Sequence, residues 1–495
     1  MKSDATRPAS LFVEIELKLA LPGADTVLVA QRLRQSPLLA RRQPTRHTLR
    51  NVYYDTPDHR LRQQRVALRT REVAGDGTTQ WLQTLKMAGA SDSALSQRGE
   101  WESPVPSDAL SRQALQATPW KTLDPKGTLF GALAPAFSTH FERTLWTVRR
   151  RNGSVVEVAL DQGEVIAGDQ RSPIFELELE LKAGPPEALF ELARELARTV
   201  AVLPASVSKA QRGYALAQGV LDTPLTARPV QLHPRMTVAD ASGALLREMF
   251  NQFTANLIAL GQGEDPELTH QARVGWRRFK SMLRLGSPDA GRPAWSDLKP
   301  LLDCMGALRD LDVARLETLP PLENAFVAGD LGRPDTWQSM TDALDEAALL
   351  QRKAVRYALQ NPAVGACLLR MTQWLAGLTG HCVSAHRLKP WARQRVKRLH
   401  RQLKRALRRP STAAQRHRTR LLAKRLRYGA EALHSLLPQP QAARWMHQAV
   451  TLQTELGTNR DLALAPALLA ELGVNAGLVA FLRGVAVGRA PSTVP

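Results

Sequence analysis

Residues 12–20 read FVEIELKLA and residues 174–182 read IFELELELK. Side chains alternate across a strand with a period of two. Glu14, Glu16 and Lys18 therefore share one face of the first segment, and Ile15, Leu17 and Leu19 share the other. In the second segment Glu176, Glu178, Glu180 and Lys182 fall together. Between them VALRTRE (66–72) aligns Arg69 with Arg71, TLK (84–86) ends in Lys86, GEWE (99–102) carries Glu100 and Glu102, and FERTLWTV (141–148) carries Arg143. A sheet with one solvated face explains any one of these strands. The whole set, with acids on some strands and bases on others, suits a lumen. Mg²⁺ and Mn²⁺ prefer oxygen ligands and keep open positions for phosphates. Arginine grips phosphate bidentately, and lysine adds a compact charge. A closed antiparallel barrel with a polar interior and apolar exterior houses this alternation. Helices such as residues 186–199 would cover its outside.

The chain has 495 residues, which sets two domains as the prior. Hydrophobic residues at 44% and charged residues at 23% exclude a disordered or collagen-like chain. The formal net charge is +21, which points to polyanionic partners. That excess is uneven: 30 basic and 25 acidic residues precede position 229, against 37 and 21 after it. Cys304, Cys367 and Cys382 form no CxxC pair, so neither a disulfide framework nor a zinc site is expected and a reducing cytosol fits. Met1 to Ser10 lacks an apolar core of signal-peptide length. The most apolar window, 472–487, is broken by Asn475 and Arg483 and reads as a terminal core helix, with no membrane span. A cytoplasmic protein is the expectation.

The texture changes at LDTPLTARPVQLHP (221–234), whose three prolines mark a linker. Residues 1–220 then form a β-rich domain and residues 235–495 an all-helical one, an α+β two-domain architecture. The helical half holds a repeat. His270, Arg273, Arg277, Arg278 and Lys280 follow HxxRxxxRRxK, and His417, Arg420, Lys424, Arg425 and Arg427 follow HxxRxxxKRxR about 150 residues later. Each copy precedes a second matched block, MGALRDLDVA (305–314) or LGTNRDLALA (456–465), so the half reads as a duplicated bundle. At about 100° per residue, His270, Arg273, Arg277, Lys280 and Arg284 fall within an arc of about 80°, as do His417, Arg420, Lys424 and Arg427. Leu283, Leu285, Leu421, Leu422 and Leu426 are left for the packed sides. Residues 387–427 hold 17 Lys or Arg and no Asp or Glu. A solvated helix normally mixes signs, so unbroken positive charge expects a counter-anion, and the matched histidines suit phosphate hydrogen bonding. The half has no recognisable DNA-reading motif and few stacking aromatics in its basic run, so specific nucleic-acid binding is not expected.

With Glu14-x-Glu16-x-Lys18 at its head, the order of landmarks over about residues 10–218 resembles the CYTH superfamily, the triphosphate tunnel metalloenzymes. NVYYDTP (51–57), ALRTR ending in Arg71, TLK ending in Lys86, FERTLW with Arg143, ALDQGE with Asp161, ELELELK, and SKAQRGYAL with Lys209 and Arg212 follow in family order. Residues 238–485 resemble the CHAD domain, a helical domain named for its histidines, through HQARVGWRRFKSMLRL, the RDLDVA block, HRTRLLAKRLRYGAEAL and the LGTNRDLALA block.

The first resemblance implies a tunnel in which Glu14, Glu16, Asp161, Glu176, Glu178 and, less directly, Glu180 bind Mg²⁺ or Mn²⁺. Lys18, Arg69, Arg71, Lys86, Arg143 and Lys209 would grip a triphosphate, and Arg212 would be structural. Lys18 and Lys86 would assist proton transfer or stabilise the leaving group. One metal would neutralise the phosphate chain and a second would activate water for in-line attack. The second resemblance implies polyphosphate binding at the two stripes, which contain His270, Arg273, Arg277, Arg278, Lys280, Arg284, His417, Arg420, Lys424, Arg425 and Arg427, and association with polyphosphate granules. Asp310 and Asp461 would pair with arginines. Aromatic residues total only 5%, with no pocket for adenine or thiamine in evidence, so inorganic triphosphate is the expected substrate, as in the bacterial inorganic triphosphatases. A polyphosphate binder without turnover, and a cyclase or organic triphosphatase of the same superfamily, stay open.

Overall fold

In the computed structural model, which describes residues 13–489 except 24, 76, 88, 90–92, 234, 287–290, 329–330, 379–386 and 409–411, two compact units are present. Met1 to Ser10, Phe12, Pro234, Cys382 and Arg409, which enter the sequence reading, lie outside the described residues. The first unit holds the chain through Thr223 together with Gln360–Ala376; the second holds Pro224–Leu359 and the chain from Gly377.

The first unit is built on β1 (Val13–Ala20), β2 (Thr45–Asp55), β3 (Val66–Gly75), β4 (Thr78–Met87), β5 (Leu95–Val105), β6 (Ala134–Arg149), β7 (Val155–Ala167) and β8 (Gln170–Ala183). Their order is β5-β4-β3-β2-β6-β7-β8-β1, and β1 also pairs with β5, so eight antiparallel strands close a barrel. The two-residue β9 (Leu203–Pro204) adds to β1. Register places charges across from one another: Glu14 opposite Arg98, Lys18 opposite Glu178, Lys86 opposite Glu100, and Arg143 opposite Asp161, which in turn faces Glu176. A slip of one residue would turn every one of these outward.

The intervening positions form the outer core. Leu17, Leu19, Val158, Leu160, Leu177 and Leu179 are fully buried, packed with Leu189, Leu192 and Leu196 of α2 (Glu187–Leu196), which follows α1 (Thr26–Arg34) in the chain. A third helix, α3 (Lys209–Ala217), starts at Ser208, whose hydroxyl and the Gln211 side chain form a capping box. That cap fixes where Lys209 leaves the helix.

The second unit is helical: α4 (Val238–Leu260), α5 (Pro266–Arg284), α6 (Lys299–Val313) and α7 (Arg333–Leu359), then α9 (Leu388–Leu407), α10 (Ala413–Ala432), α11 (Gln439–Glu471) and α12 (Ala476–Gly488). Residues 221–233 form neither helix nor strand. Thr237, Asp265 and Thr412 cap α4, α5 and α10, with Pro266 at the start of α5. Phe250 and Phe253 of α4 meet Trp276 and Phe279 of α5 in the core. Leu283, Leu285, Leu422 and Leu426 are buried, whereas Leu421 is exposed. Leu421 follows Arg420 and lies one turn beyond His417, so it shares the cationic side and not the packed one.

Helix α8 (Pro362–Ala376) joins the barrel from far along the chain. Leu369 enters the outer core with α2, Arg194 donates to Gln373 at 2.5 Å, and a Cβ on Gly365 would stand 2.3 Å from the Val202 carbonyl oxygen. Leu369→Ala is expected to cost about 2–5 kcal/mol, the usual range for emptying a buried leucine site. Denaturant unfolding followed at the barrel transition measures it, and an unchanged midpoint would show that α8 is dispensable there.

Candidate functional site

The barrel interior is a cavity of about 240 Å³ lined by seven carboxylates and eight cationic side chains. Glu14, Glu16, Lys18, Arg69, Arg71, Lys86, Arg143, Glu178, Glu180 and Lys209 all reach it. Asp161 and Glu176 are buried against Lys209. Every tunnel residue expected from the sequence is thus brought to one place. Arg212 lies elsewhere, donating to Ser172 Oγ and the Pro173 carbonyl.

Two carboxylate groups can be distinguished. Asp161, Glu176 and Glu178 each offer an oxygen within 4.8 Å of the others. Lys209 Nζ donates to all three, at 2.6, 2.5 and 3.0 Å. Arg143 grips Asp161 through two bonds of 2.7 Å and reaches Glu178 at 2.5 Å, and Lys18 meets Glu178 at 2.5 Å. Glu14 and Glu16 form the other group. Lys86 and Arg98 both lie 2.9 Å from Glu14, Arg98 also bonds Glu16, and Lys18 is 3.3 Å from Glu16. An all-oxygen donor set, already drawn together around cations, fits a hard divalent ion.

Burial alone would raise the Glu14, Asp161 and Glu178 carboxyls, but the cations around them outweigh it: Lys86 and Arg98 for Glu14, Arg143 and Lys209 for Asp161, Lys18 and Lys209 for Glu178. All three are held below the usual carboxylate range and stay ionised. Burial would lower Lys18 and Lys209, yet their carboxylate partners hold both above the ordinary lysine range. Arg71 differs: burial, then Arg69 and Arg143, push it down to about 10. Its Nε donates to Asn51 Oδ1 at 2.7 Å, so a neutral amide rather than an acid holds it. Arg69 meets Tyr53 Oη and Thr84 Oγ1, both at 3.4 Å, and among the described residues comes no nearer to a carboxylate than 3.9 Å, at Glu100. Those two arginines are the cations least satisfied by carboxylates, and an incoming anion suits them.

Arg98, in phase with Glu100 and Glu102, lines the cavity as well, although the sequence pattern does not single it out. Glu157, in phase with Asp161, and Lys182, in phase with Glu180, also line the cavity.

In the helical unit α5 packs against α10. Arg277, Arg420 and Lys424 come together with Arg460 of α11. Burial and then these three arginines push the Lys424 ammonium down to about 7. Burial, followed by Arg277, lowers Arg273 to about 10, and burial, Arg309 and Arg277 lower His270 to about 4. His270 Nδ1 is buried without a partner among the described residues, while His417 is exposed. Lys280 and Arg284 continue the α5 stripe, and Arg284 lies near Arg425. Arg278 points into the core, donating to Gln252 at 2.7 Å, and Arg427 pairs with Glu431 at 2.7 Å. Arg460 stands 3.7 Å from Asp310 and 3.0 Å from Asp461, so the two matched blocks meet through an ion-paired arginine.

A closed barrel lined by opposed carboxylates and bases is followed in the chain by a helical unit with cationic side chains on α5 and α10. The CYTH domain model matches residues 13–214 and the CHAD domain model residues 244–470, and the chain carries both domains. It is 38% identical over 211 residues to an inorganic triphosphatase from Haemophilus influenzae, covering 42% of this chain and 55% of that protein. The chain therefore spans little more than half the length of that relative. Among solved structures it is similar to the CHAD domain from the plant Ricinus communis (30% identity, 54% of this chain and 91% of that one, TM-score 0.47). It is also similar to a Hippeastrum protein described as an adenylyl cyclase with a dominant triphosphatase activity (20% identity, 42% of this chain and 96% of that one, TM-score 0.28). Among the described residues no helix is long and apolar enough to cross a membrane.

Proposed function

We propose that the chain is a Mg²⁺- or Mn²⁺-dependent inorganic triphosphatase, with hydrolysis in residues 1–220 and polyphosphate binding in residues 235–495, joined by 221–234. The enclosed cavity carries the reading: carboxylates and bases from six or more strands converge where a short phosphate chain fits. The lining is close to electroneutral, so a highly charged anion is favoured there only together with added positive charge. Glu14, Glu16, Asp161, Glu176 and Glu178 would hold divalent ions, with Glu180 beside them, and such ions neutralise phosphate oxygens and lower the pKa of bound water. Arg69 and Arg71 bind and orient the chain, and Lys86, Arg143, Lys18 and Lys209 turn toward phosphate oxygens once their carboxylates have other partners. Lys18, whose ammonium is held protonated, would donate to the leaving oxygen, and Lys86, on β4, would serve the same end. Catalysis then rests on positioning and pre-placed charge. Tyr53 is the one aromatic residue in the lining among the described residues, and its ring is stacked on Phe137. A nucleobase finds no free platform there, which favours inorganic triphosphate.

The test incubates the full chain with tripolyphosphate, ATP and long-chain polyphosphate, with Mg²⁺, Mn²⁺ or chelator, and measures orthophosphate and cyclic AMP. Metal-dependent orthophosphate from tripolyphosphate is expected. Cyclic AMP without orthophosphate would make the tunnel a cyclase, and polyphosphate retention without turnover would make the chain a binder.

Granule association in the cytoplasm follows from the helical stripes as part of this proposal. Lys424 supplies a pH signature. Its free ammonium titrates at about 7, and a bound phosphate chain favours the charged form. Binding therefore takes up a proton above pH 7, and affinity falls as pH rises. About a thirtyfold loss of polyphosphate affinity between pH 6 and pH 8.5 is expected, abolished in Lys424→Arg.

A further inference from the structure

Beside the α5 stripe lies a separate open cleft of about 850 Å³, within the size range of small-molecule sites. Its walls are α5 and the segment 291–303. Arg273, Arg277 and Lys280 project from α5, and Trp276 and Trp295 are edge to face with ring centroids 5.7 Å apart. Lys280 Nζ lies 5.7 Å from the Trp276 ring centre, and the Arg292 guanidinium lies 5.3 Å from that of Trp295. Asp303, the one acid in the lining among the described residues, is already paired with Lys299 at 2.6 Å. A bare phosphate chain makes no use of an indole face. Trp276 is buried, and its Nε1–H has no acceptor among the described residues, whereas Trp295 is only half-buried and offers ring surface. Cations along one wall, a half-exposed indole on the other and an unpaired donor behind them match an anion that also carries an aromatic, acceptor-rich group.

We propose that this cleft binds a nucleoside polyphosphate, with its base against Trp295 and its phosphates on Arg273, Arg277 and Lys280. Stacking on an aromatic ring is tolerant of base identity, so the class is nucleoside di- and triphosphates rather than one nucleotide. The site shares cations with the polyphosphate reading but depends separately on the indole.

The experiment titrates the full chain with ATP, tripolyphosphate and long-chain polyphosphate in chelator, which prevents turnover, and repeats it with Trp295→Ala and Trp295→Phe. Tunnel binding adds a component that Trp295 cannot influence. The expected result is a class of ATP sites weakened about tenfold in Trp295→Ala and restored in Trp295→Phe, with tripolyphosphate and long-chain polyphosphate unchanged. An ATP titration identical in wild type and Trp295→Ala would overturn the proposal, as would a parallel loss of tripolyphosphate binding, since the site would then read phosphate alone. Wild-type chain that fails to retain long-chain polyphosphate while keeping the Trp295-dependent ATP class would remove the polyphosphate reading and leave this one standing.

Discussion

Glu178→Gln is expected to leave about a thousandth or less of the metal-dependent tripolyphosphate hydrolysis, with long-chain polyphosphate retention by the helical unit unchanged. Glu178 is the point where both halves of the site meet. It accepts from Lys18 and Arg143 at 2.5 Å and from Lys209 at 3.0 Å, and it belongs to the three-carboxylate cluster with Asp161 and Glu176. Glutamine keeps the shape and removes the charge. One preorganised charge contributes about 3–4 kcal/mol to a transition state, and 4 kcal/mol corresponds to about a thousandfold in rate. The substitution also leaves Lys18, Arg143 and Lys209 with one anion fewer in a buried setting, so some loss of barrel stability accompanies it. The two effects separate by measuring turnover at a temperature where circular dichroism shows the variant folded. Turnover within tenfold of wild type under those conditions would show that Glu178 is a structural counter-ion and that the metal-holding carboxylates are elsewhere. Because burial, which alone would raise Glu178, is outweighed by Lys18 and Lys209, the carboxyl stays well below the usual range, and acidification toward pH 5 is not expected to reproduce the effect in wild-type protein.

The barrel was legible because one physical rule, alternation, acts on every strand at once. Leu17 and Leu19 could not face the core unless Glu16 and Lys18 faced the other way, and closure turns that other way into an interior. Arg98 was missed for a related reason. QRGE puts it in phase with Glu100, but an arginine beside a glycine in a polar stretch looks the same on a solvated edge as in a tunnel, and only the β1–β5 pairing decides. The docking of α8 could not be read at all. Gly365 and Leu369 look like any residues of a helical half, and their place in the barrel core is a contact across more than 150 residues of chain. In the helical half, periodicity located the stripes but not their edges. Arg278 is one residue from Arg277 and turns about 100° away from it, into the core, and Leu421 turns outward for the same geometric reason. Local spacing sets a direction on the helix, and the neighbouring helix decides which directions are inside.

Arg277→Gln combined with Arg420→Gln is expected to weaken long-chain polyphosphate binding by about a hundredfold or more, leaving tripolyphosphate turnover intact. These two side chains come from the two copies of the repeat, and each is near enough to Lys424 to depress it. Like charges held this close work against the free fold, and burial adds to the cost. An anion bridging them relieves both, so the affinity gained exceeds that of two isolated surface arginines. A hydrogen bond to a charged group contributes about 1.5–3 kcal/mol, and two of them give at least a hundredfold at 1.4 kcal/mol per decade. Salt supplies an independent readout. Each phosphate neutralised on a flexible strand contributes about 0.7 to the slope of log affinity against log salt, so the double variant should be shallower by about 1.4. The same substitutions relieve repulsion on Lys424, whose titration should move up from about 7 toward the ordinary lysine range, and the pH dependence of the remaining binding should flatten with it. Reduced affinity with an unchanged salt slope would mean that the arginines only arrange the helices and that the phosphate chain is held elsewhere on the unit.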